Sequence, residues 1–158
     1  AVLFKGTVRE NIRWGKNDVT DEEIYEALTI SQSKEMVDSK GGLDYEIEQG
    51  GRNLSGGQKQ RLTIARALAK KPEILILDDS ASALDYATDA ALRRSIREMQ
   101  HTPTVFVVSQ RTSSIQFADK IIVLDDGIIA GMGKHGELIQ SCQVYREIYE
   151  SQFKKEGA

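Results

Sequence analysis

The strongest constraint on the fold is a pair of stretches, Leu54-Ser55-Gly56-Gly57-Gln58-Lys59-Gln60-Arg61 and, further on, Ile74-Leu75-Ile76-Leu77-Asp78-Asp79. The first is a glycine-containing turn that opens a helix. From Ser55 to about Lys70, Leu62, Ala65 and Ala69 share one face, Ile64 and Leu68 widen it, and Pro72 ends it. The second is a continuous apolar run between Pro72 and two carboxylates, which suits a strand buried on both faces of a parallel sheet. A helix followed by such a strand predicts a layered α/β arrangement.

The flanking sequence supports that arrangement. Val105 to Val108 is a second buried strand, and between the two lies a helix from Asp85 to about Gln100, with Ala91, Leu92, Ile96 and Met99 on its apolar face. Thr112 to Phe117 is a short helix. Lys120–Leu124 and Ile128–Met132 form a hairpin around Asp126-Gly127, a strong two-residue turn signal. Short helices follow at Gly136–Leu138 and at Val144–Phe153, the latter with Tyr145, Ile148, Tyr149 and Phe153 as an aromatic and apolar stripe. Helix and strand alternate from Ser55 to Leu124, the signature of a largely parallel sheet.

Before Ser55 the chain looks all-helical and loop-like. Thr7 and Glu10 have capping-box spacing, and Gly15 and Asn17 break the helix they start. Thr20-Asp21-Glu22-Glu23 offers a second cap. Ile24, Ala27, Leu28, Met36 and Val37 then fit one amphipathic helix or a broken pair, ending before Gly41-Gly42. Leu43 to Asn53 is polar and glycine-bearing, an extended loop.

Composition narrows the function classes. The 158 residues are enough for a domain with a real core, and 21 basic against 24 acidic residues leave a net charge of −3. No global basic field points to nucleic acid. Apolar runs such as Ile121-Ile122-Val123-Leu124 are too short to span a bilayer. Cys142 is alone, so it supplies neither a disulfide framework nor a metal cluster, which fits a reducing, cytosolic setting.

Four stretches could carry chemistry. In Ser55-Gly56-Gly57-Gln58 the glycines allow close backbone approach to an anion, and the helix adds unpaired N–H donors and its positive dipole end. By itself, Ser-Gly-Gly also fits a plain turn. Asp78, at the end of a buried strand, can hold a magnesium ion through water beside a nucleotide phosphate, and Asp79 can orient or deprotonate an attacking water. Two solvated acids capping a strand is the alternative. In Ser82-Ala83-Leu84-Asp85, either Asp85 or Ser82 caps the next helix. Ser109-Gln110-Arg111 lies just beyond the second strand, at the carboxyl edge where open α/β sheets bind ligands.

In order and spacing, these stretches resemble the nucleotide-binding domain of ATP-binding-cassette (ABC) transporters. Leu54 to Gln58 matches the family's signature motif, Ile74 to Asp79 its Walker B strand, and Ser82 to Asp85 its D-loop, while Ser109 to Arg111 falls at the switch-histidine motif. The resemblance runs from Phe4 to about Phe153. Leu3-Phe4 and Gly6 to Ile12 look like the segment after the Q-loop in exporter-type members, whose helical subdomain contacts the membrane-spanning part. The implied fold is a partial P-loop NTPase core with a parallel sheet and flanking helices, plus the ABC-specific helical subdomain. Residues 7–65 would form that subdomain with the signature, and residues 66–158 the α/β core with the Walker B, D-loop and switch positions.

The departures from the family pattern matter as much. The chain opens in mid-pattern at Ala1-Val2-Leu3-Phe4, and no Gly-x-x-x-x-Gly-Lys-Ser/Thr loop occurs in it. The expectation is the C-terminal part of such a domain, unable alone to hold ATP tightly at its own site. Asp79 stands where the family usually has a catalytic glutamate; one methylene fewer retracts the carboxylate by roughly 1 Å, which can cost about 100-fold in rate. Gln110 replaces the switch histidine and cannot carry its positive charge. Gln49, within Glu48 to Asn53, replaces an X-loop carboxylate thought to touch the membrane domain.

By resemblance, Ser55, Gly56, Gly57 and Gln58 serve ATP held by a partner domain, and Ser82 and Asp85 of the D-loop are further nucleotide-binding residues. Asp78, for Mg2+, and Asp79 and Gln110, for catalysis, belong to the chain's own weaker site. The pattern resembles the degenerate half of a heterodimeric exporter, which implies a place on the cytoplasmic side of the membrane, a second nucleotide-binding domain and a transmembrane domain as partners, and no nucleic acid. The alternatives are a soluble ABC ATPase of the DNA-repair or translation type and a non-hydrolytic regulatory interaction module. Open strand edges also predict self-association of the isolated chain.

Overall fold

The computed structural model describes residues 1–16, 18–80 and 82–153. They form two compact units, Ala1–Val108 and Ser109–Ala158.

The first unit begins with a two-residue strand β1 (Gly6–Thr7) that runs into α1 (Val8–Arg13), followed by α2 (Asp21–Ile30) and α3 (Lys34–Ser39). The expected capping box at Thr7 forms, and the expected cap at Thr20 is a box as well: each threonine accepts the backbone N–H of the glutamate three residues on, and each glutamate reaches back to the cap. α2 and α3 are a broken pair rather than one helix, separated by Gln32 in the left-handed region. Asn17, one of the two expected breakers after α1, lies outside the described residues.

Residues before Ser55 are not all-helical. Glu46–Ile47 forms β2, antiparallel to β1 with Gly6 opposite Ile47 and Thr7 opposite Glu46. A two-residue ladder leaves no periodic trace in a sequence, since one alternation cannot be told from chance.

α4 (Gly56–Leu68) is the longest helix of this unit. Its apolar face buries Leu62, Ile64, Ala65 and Leu68 in one core with Leu3, Ile12, Ile24 and Leu28 from the helical part and with Leu75, Leu77, Leu92 and Ile96 from the layer that follows. That layer is β3 (Ile74–Asp78), α5 (Tyr86–Arg97) and β4 (Thr104–Val108), with β3 and β4 parallel and in register from Ile74 opposite Thr104 to Asp78 opposite Val108. The parallel sheet is as expected, but its two strands are not buried on both faces. Leu75 and Leu77 turn into the core, whereas Ile76 is 67% exposed and Phe106 53%. A continuous apolar run shows that both faces tolerate burial; which face is covered depends on what packs there.

Asn11 holds the first turns of this unit together. It is buried, and its side-chain Oδ1 accepts the Phe4 N–H (2.9 Å) while its Nδ2 donates to the carbonyls of Phe4 (2.9 Å) and Thr7 (3.1 Å). Arg66 of α4 reaches the same residue, Nη2 to Oδ1 (3.0 Å) and Nε to its carbonyl (2.8 Å), and Nη1 donates to the Val2 carbonyl (3.0 Å). The guanidinium lies over the Phe4 ring.

The second unit contains α6 (Thr112–Ile115), the hairpin β5 (Ile121–Asp125) and β6 (Ile128–Gly133), then α7 (His135–Ser141) and α8 (Gln143–Phe153). The turn is as expected: Asp126 and Gly127 both have positive φ, the type I′ geometry that matches strand twist. The small core is Ile121, Val123, Leu138, Cys142 and Tyr145. Of the expected stripe on α8, Tyr145 is buried, while Ile148 and Phe153 are exposed.

Asn11→Ala removes the amide that satisfies Phe4, Thr7 and Arg66 together, and leaves these half-buried groups without that partner. The expected loss is about 2–4 kcal/mol in urea unfolding followed by Trp14 fluorescence; a loss below about 0.5 kcal/mol would contradict the network's structural role.

Candidate functional site

The N-terminus of α4 is built to present donors. Ser55 sits in extended backbone (φ −69°, ψ 162°), its Oγ accepts the Gln58 N–H (3.3 Å), and Gln58 Oε1 accepts the Ser55 N–H (3.0 Å). Because the Ser55 hydroxyl is the acceptor in this box, its own proton is left for another acceptor. The N–H groups of Gly56 and Gly57 are the first in the helix and have no carbonyl of the same helix to bond. One hydroxyl and two amides therefore converge at the positive end of a 13-residue helix, a fitting cradle for a phosphate oxygen.

The glycines are not equivalent. A Cβ on Gly57 would come to 2.9 Å from the Ala83 carbonyl oxygen, whereas one on Gly56 would meet only the Ala83 Cβ, at 4.0 Å. The structure thus brings the signature stretch onto Ser82-Ala83-Leu84-Asp85, a juxtaposition that spacing in sequence does not reveal. Of the two candidate caps for α5, Asp85 takes the role: its carboxylate accepts the Thr88 N–H (2.9 Å) and hydroxyl (2.8 Å). The Thr88 backbone bond, and then its hydroxyl, hold the Asp85 carboxyl below the usual carboxylate range. Ser82 Oγ donates to the Asp79 carbonyl at 2.9 Å.

The two acids at the end of β3 differ in kind. Asp78 closes the strand and its carboxylate end is exposed. Asp79 has left the strand and lies in the left-handed region (φ 45°), with its N–H donating to the Val108 carbonyl (2.9 Å). Few side chains tolerate that backbone, and aspartate is among them. Among the described residues no group of three His, Cys, Asp or Glu could ligate a metal. Asp78 alone fits only a Mg2+ that takes its remaining ligands from phosphate and water.

Gln110 belongs to the second unit, in an exposed segment pinned from α8. Gln152 Nε2 donates to the Gln110 carbonyl (2.6 Å), and Gln152 Oε1 accepts both the N–H and the hydroxyl of Thr112 (2.9 Å each). Gln152 carries no sequence signal of this role, since it acts across a separation of about 40 residues.

Gly57→Ala is expected to cost about 1–3 kcal/mol, because backbone must give way at Ala83. Gly56→Ala should be neutral or stabilising; equal melting temperatures for the two variants would refute the close approach. The Asp85 cap is fully present above the ordinary carboxylate pKa and is lost as pH falls through its lowered folded value. The Tm gap between wild type and Asp85→Ala should therefore close as pH drops below about 4.

Comparison with known proteins agrees with this geometry. The family model described as ABC transporter matches residues 2–82, just over half of the chain. An uncharacterized ABC transporter ATP-binding protein of Bacillus subtilis, YfiB, is 45% identical over 99% of this chain and 27% of its own length. YheI of the same organism, a probable multidrug resistance ABC transporter ATP-binding/permease protein, is 47% identical over 96% of this chain and 26% of its own. The structure of a bacterial Atm1-family ABC exporter with ATP bound superimposes with a TM-score of 0.91 at 34% identity, over 96% of this chain and 27% of the other. The chain spans about a quarter of the length of these relatives. By sequence and by fold, the chain belongs to the ABC transporter family.

Proposed function

We propose that this chain is part of the nucleotide-binding domain of an ABC exporter, in which ATP binding and hydrolysis drive transport across a membrane. The observation that carries this reading is the three-donor cradle at the start of α4, seated on the backbone of Ala83. By the family resemblance, Ser55, Gly56, Gly57 and Gln58 act in trans, on ATP held by a second nucleotide-binding domain, and the exposure of Ser55 and Gly56 supports that reading. Ser82 and Asp85 keep the D-loop beside them.

The chain's own site is the weaker one. Asp78 would hold Mg2+ through water beside the nucleotide phosphates, and Asp79 would orient the attacking water from a shortened side chain on a left-handed backbone. Gln110 would hydrogen-bond the γ-phosphate without supplying positive charge. The phosphate-cradling Gly-x-x-x-x-Gly-Lys-Ser/Thr loop occurs nowhere in these 158 residues and would come from elsewhere in the protein. The pairing of an intact signature with a weak own site supports a heterodimer in which this half completes its partner's competent site.

A transmembrane domain is the other partner, placing the chain on the cytoplasmic face of the membrane. Among the described residues no helix is long and apolar enough to cross a bilayer. The helical subdomain, residues 7–65, offers the contact. Trp14 is half exposed and stacks on Phe4 (3.9 Å between centroids, 10° between planes), beside a shallow hollow of about 360 Å3 lined by Glu10, Arg13 and Gly15.

In the full-length dimer, the double change Asp79→Glu and Gln110→His should raise ATP turnover, about 100-fold at this site if carboxylate reach is what limits it. An unchanged rate would show that the two substitutions are not what limits the site. The isolated chain should neither hydrolyse ATP nor remain monomeric, because the outward face of β3 and β4 (Ile74, Ile76, Phe106, Val108) is apolar and open. A monomer by light scattering at high concentration would refute the second expectation.

A further inference from the structure

Asn53, just before the signature, makes an unusual set of bonds. Its Oδ1 accepts the Glu48 N–H (3.0 Å), while its Nδ2 donates to the Glu46 carbonyl (2.8 Å) and to the Tyr45 hydroxyl (3.0 Å). The Glu46 carbonyl and the Glu48 N–H flank Ile47 in β2. In a parallel ladder, one residue of the neighbouring strand bonds the carbonyl before and the N–H after its opposite number. The Asn53 side chain reproduces that pattern against Ile47, standing in for a strand that is not there.

The register of β2 explains why those groups are free to be met. Val8 N–H donates to the Tyr45 carbonyl (3.0 Å), and Gly6 lies opposite Ile47. Backbone groups alternate in direction along a strand, so Tyr45 and Ile47 face β1 while Glu46 and Glu48 turn their polar groups to the other side. Only a planar amide offers acceptor and donor at the required separation, and the bonding leaves one orientation of it: Oδ1 toward the N–H, Nδ2 toward the carbonyl.

The intervening loop needs such a tie. Gly50 and Gly51 both lie in the left-handed region (φ 68° and 65°), backbone that glycine samples freely and does not hold by itself. The Gly50 N–H is bonded to the Leu3 carbonyl (3.2 Å) and the Leu54 N–H to that of Gly51 (3.0 Å). Asn53 closes this loop back on β2 two residues before Ser55, whose extended backbone sets the direction in which α4 begins.

We infer that Asn53 is a positioning residue that aims the Ser55, Gly56 and Gly57 donors by fastening the start of α4 to β2; this rests on the trans role proposed above. It touches no nucleotide in that role and acts through the backbone of the signature.

The test uses the full-length transporter, assembled as its dimer in lipid nanodiscs and assayed for MgATP hydrolysis, with thermal melts of each variant. Asn53→Ala should lower kcat by about tenfold or more and raise the KM for ATP, since small misplacements of donors are costly. Asn53→Asp should fall at least as far, because a carboxylate oxygen then faces the Glu46 carbonyl with no proton to offer. Tyr45→Phe keeps both backbone bonds and should stay within about threefold of wild type. Wild-type kcat and KM in both Asn53 variants overturn the inference, and so does an Asn53→Asp variant that works better than Asn53→Ala. A fall in melting temperature with kcat and KM per folded dimer unchanged would assign Asn53 to stability alone and overturn it likewise. Gly56→Asp, which places a carboxylate at the donors themselves where a side chain has room, separates the two readings. A lost rate there with unaffected Asn53 variants removes the positioning role only. An unaffected Gly56→Asp removes the trans role and the positioning role with it.

Discussion

The burial of one face of α4 is the interaction on which the first unit depends. Leu62, Ala65 and Leu68 lie in a core that takes in Ile12, Ile24 and Leu28 on one side and Leu75, Leu77 and Leu92 on the other. Because α4 packs on α1 and α2 from Leu62 onward, the direction of its axis is set by hydrophobic contact over its C-terminal two turns. Its polar N-terminus, whose unpaired N–H groups would be a liability in the core, is thereby left at the surface, where the same groups become useful to an anion.

Local hydrogen bonding then refines what burial places coarsely. Arg66 ties the last turn of α4 to Asn11 and Val2, Asn53 ties its start to β2, and the Ser55–Gln58 box fixes the first turn. At the far side of the site, the Ala83 carbonyl lies so close to Gly57 that only a residue without Cβ fits. Each of these ties uses a side chain or a glycine at a place where no backbone ladder is available. The donor end of α4 is consequently preorganised, which matters in a site that must stabilise charge rather than perform covalent chemistry.

Much of this was legible in the sequence because it is local. The boxes at Thr7, Thr20 and Ser55, the hairpin at Asp126-Gly127 and the parallel pair ending at Asp78 rest on spacings of two to four residues or on continuous apolar runs. The misreadings are equally physical. β2 is too short for a period to register, and the exposed faces of Ile76 and Phe106 cannot be told from buried ones when both kinds of position carry apolar residues.

The sequence by itself determined the family pattern, the donor types at the signature, and the carboxylates at the end of β3, since these follow from residue identity and short spacing. Only the tertiary structure decided that Gly57 meets the Ala83 backbone, that Asp85 rather than Ser82 caps α5, that Asp79 turns out of the strand with a left-handed backbone, and that Asn53 serves as a strand partner to Ile47. Most of these depend on groups brought together by packing, and the rest on a choice among local geometries that neighbouring backbone settles. Chemistry in one dimension fixes neither.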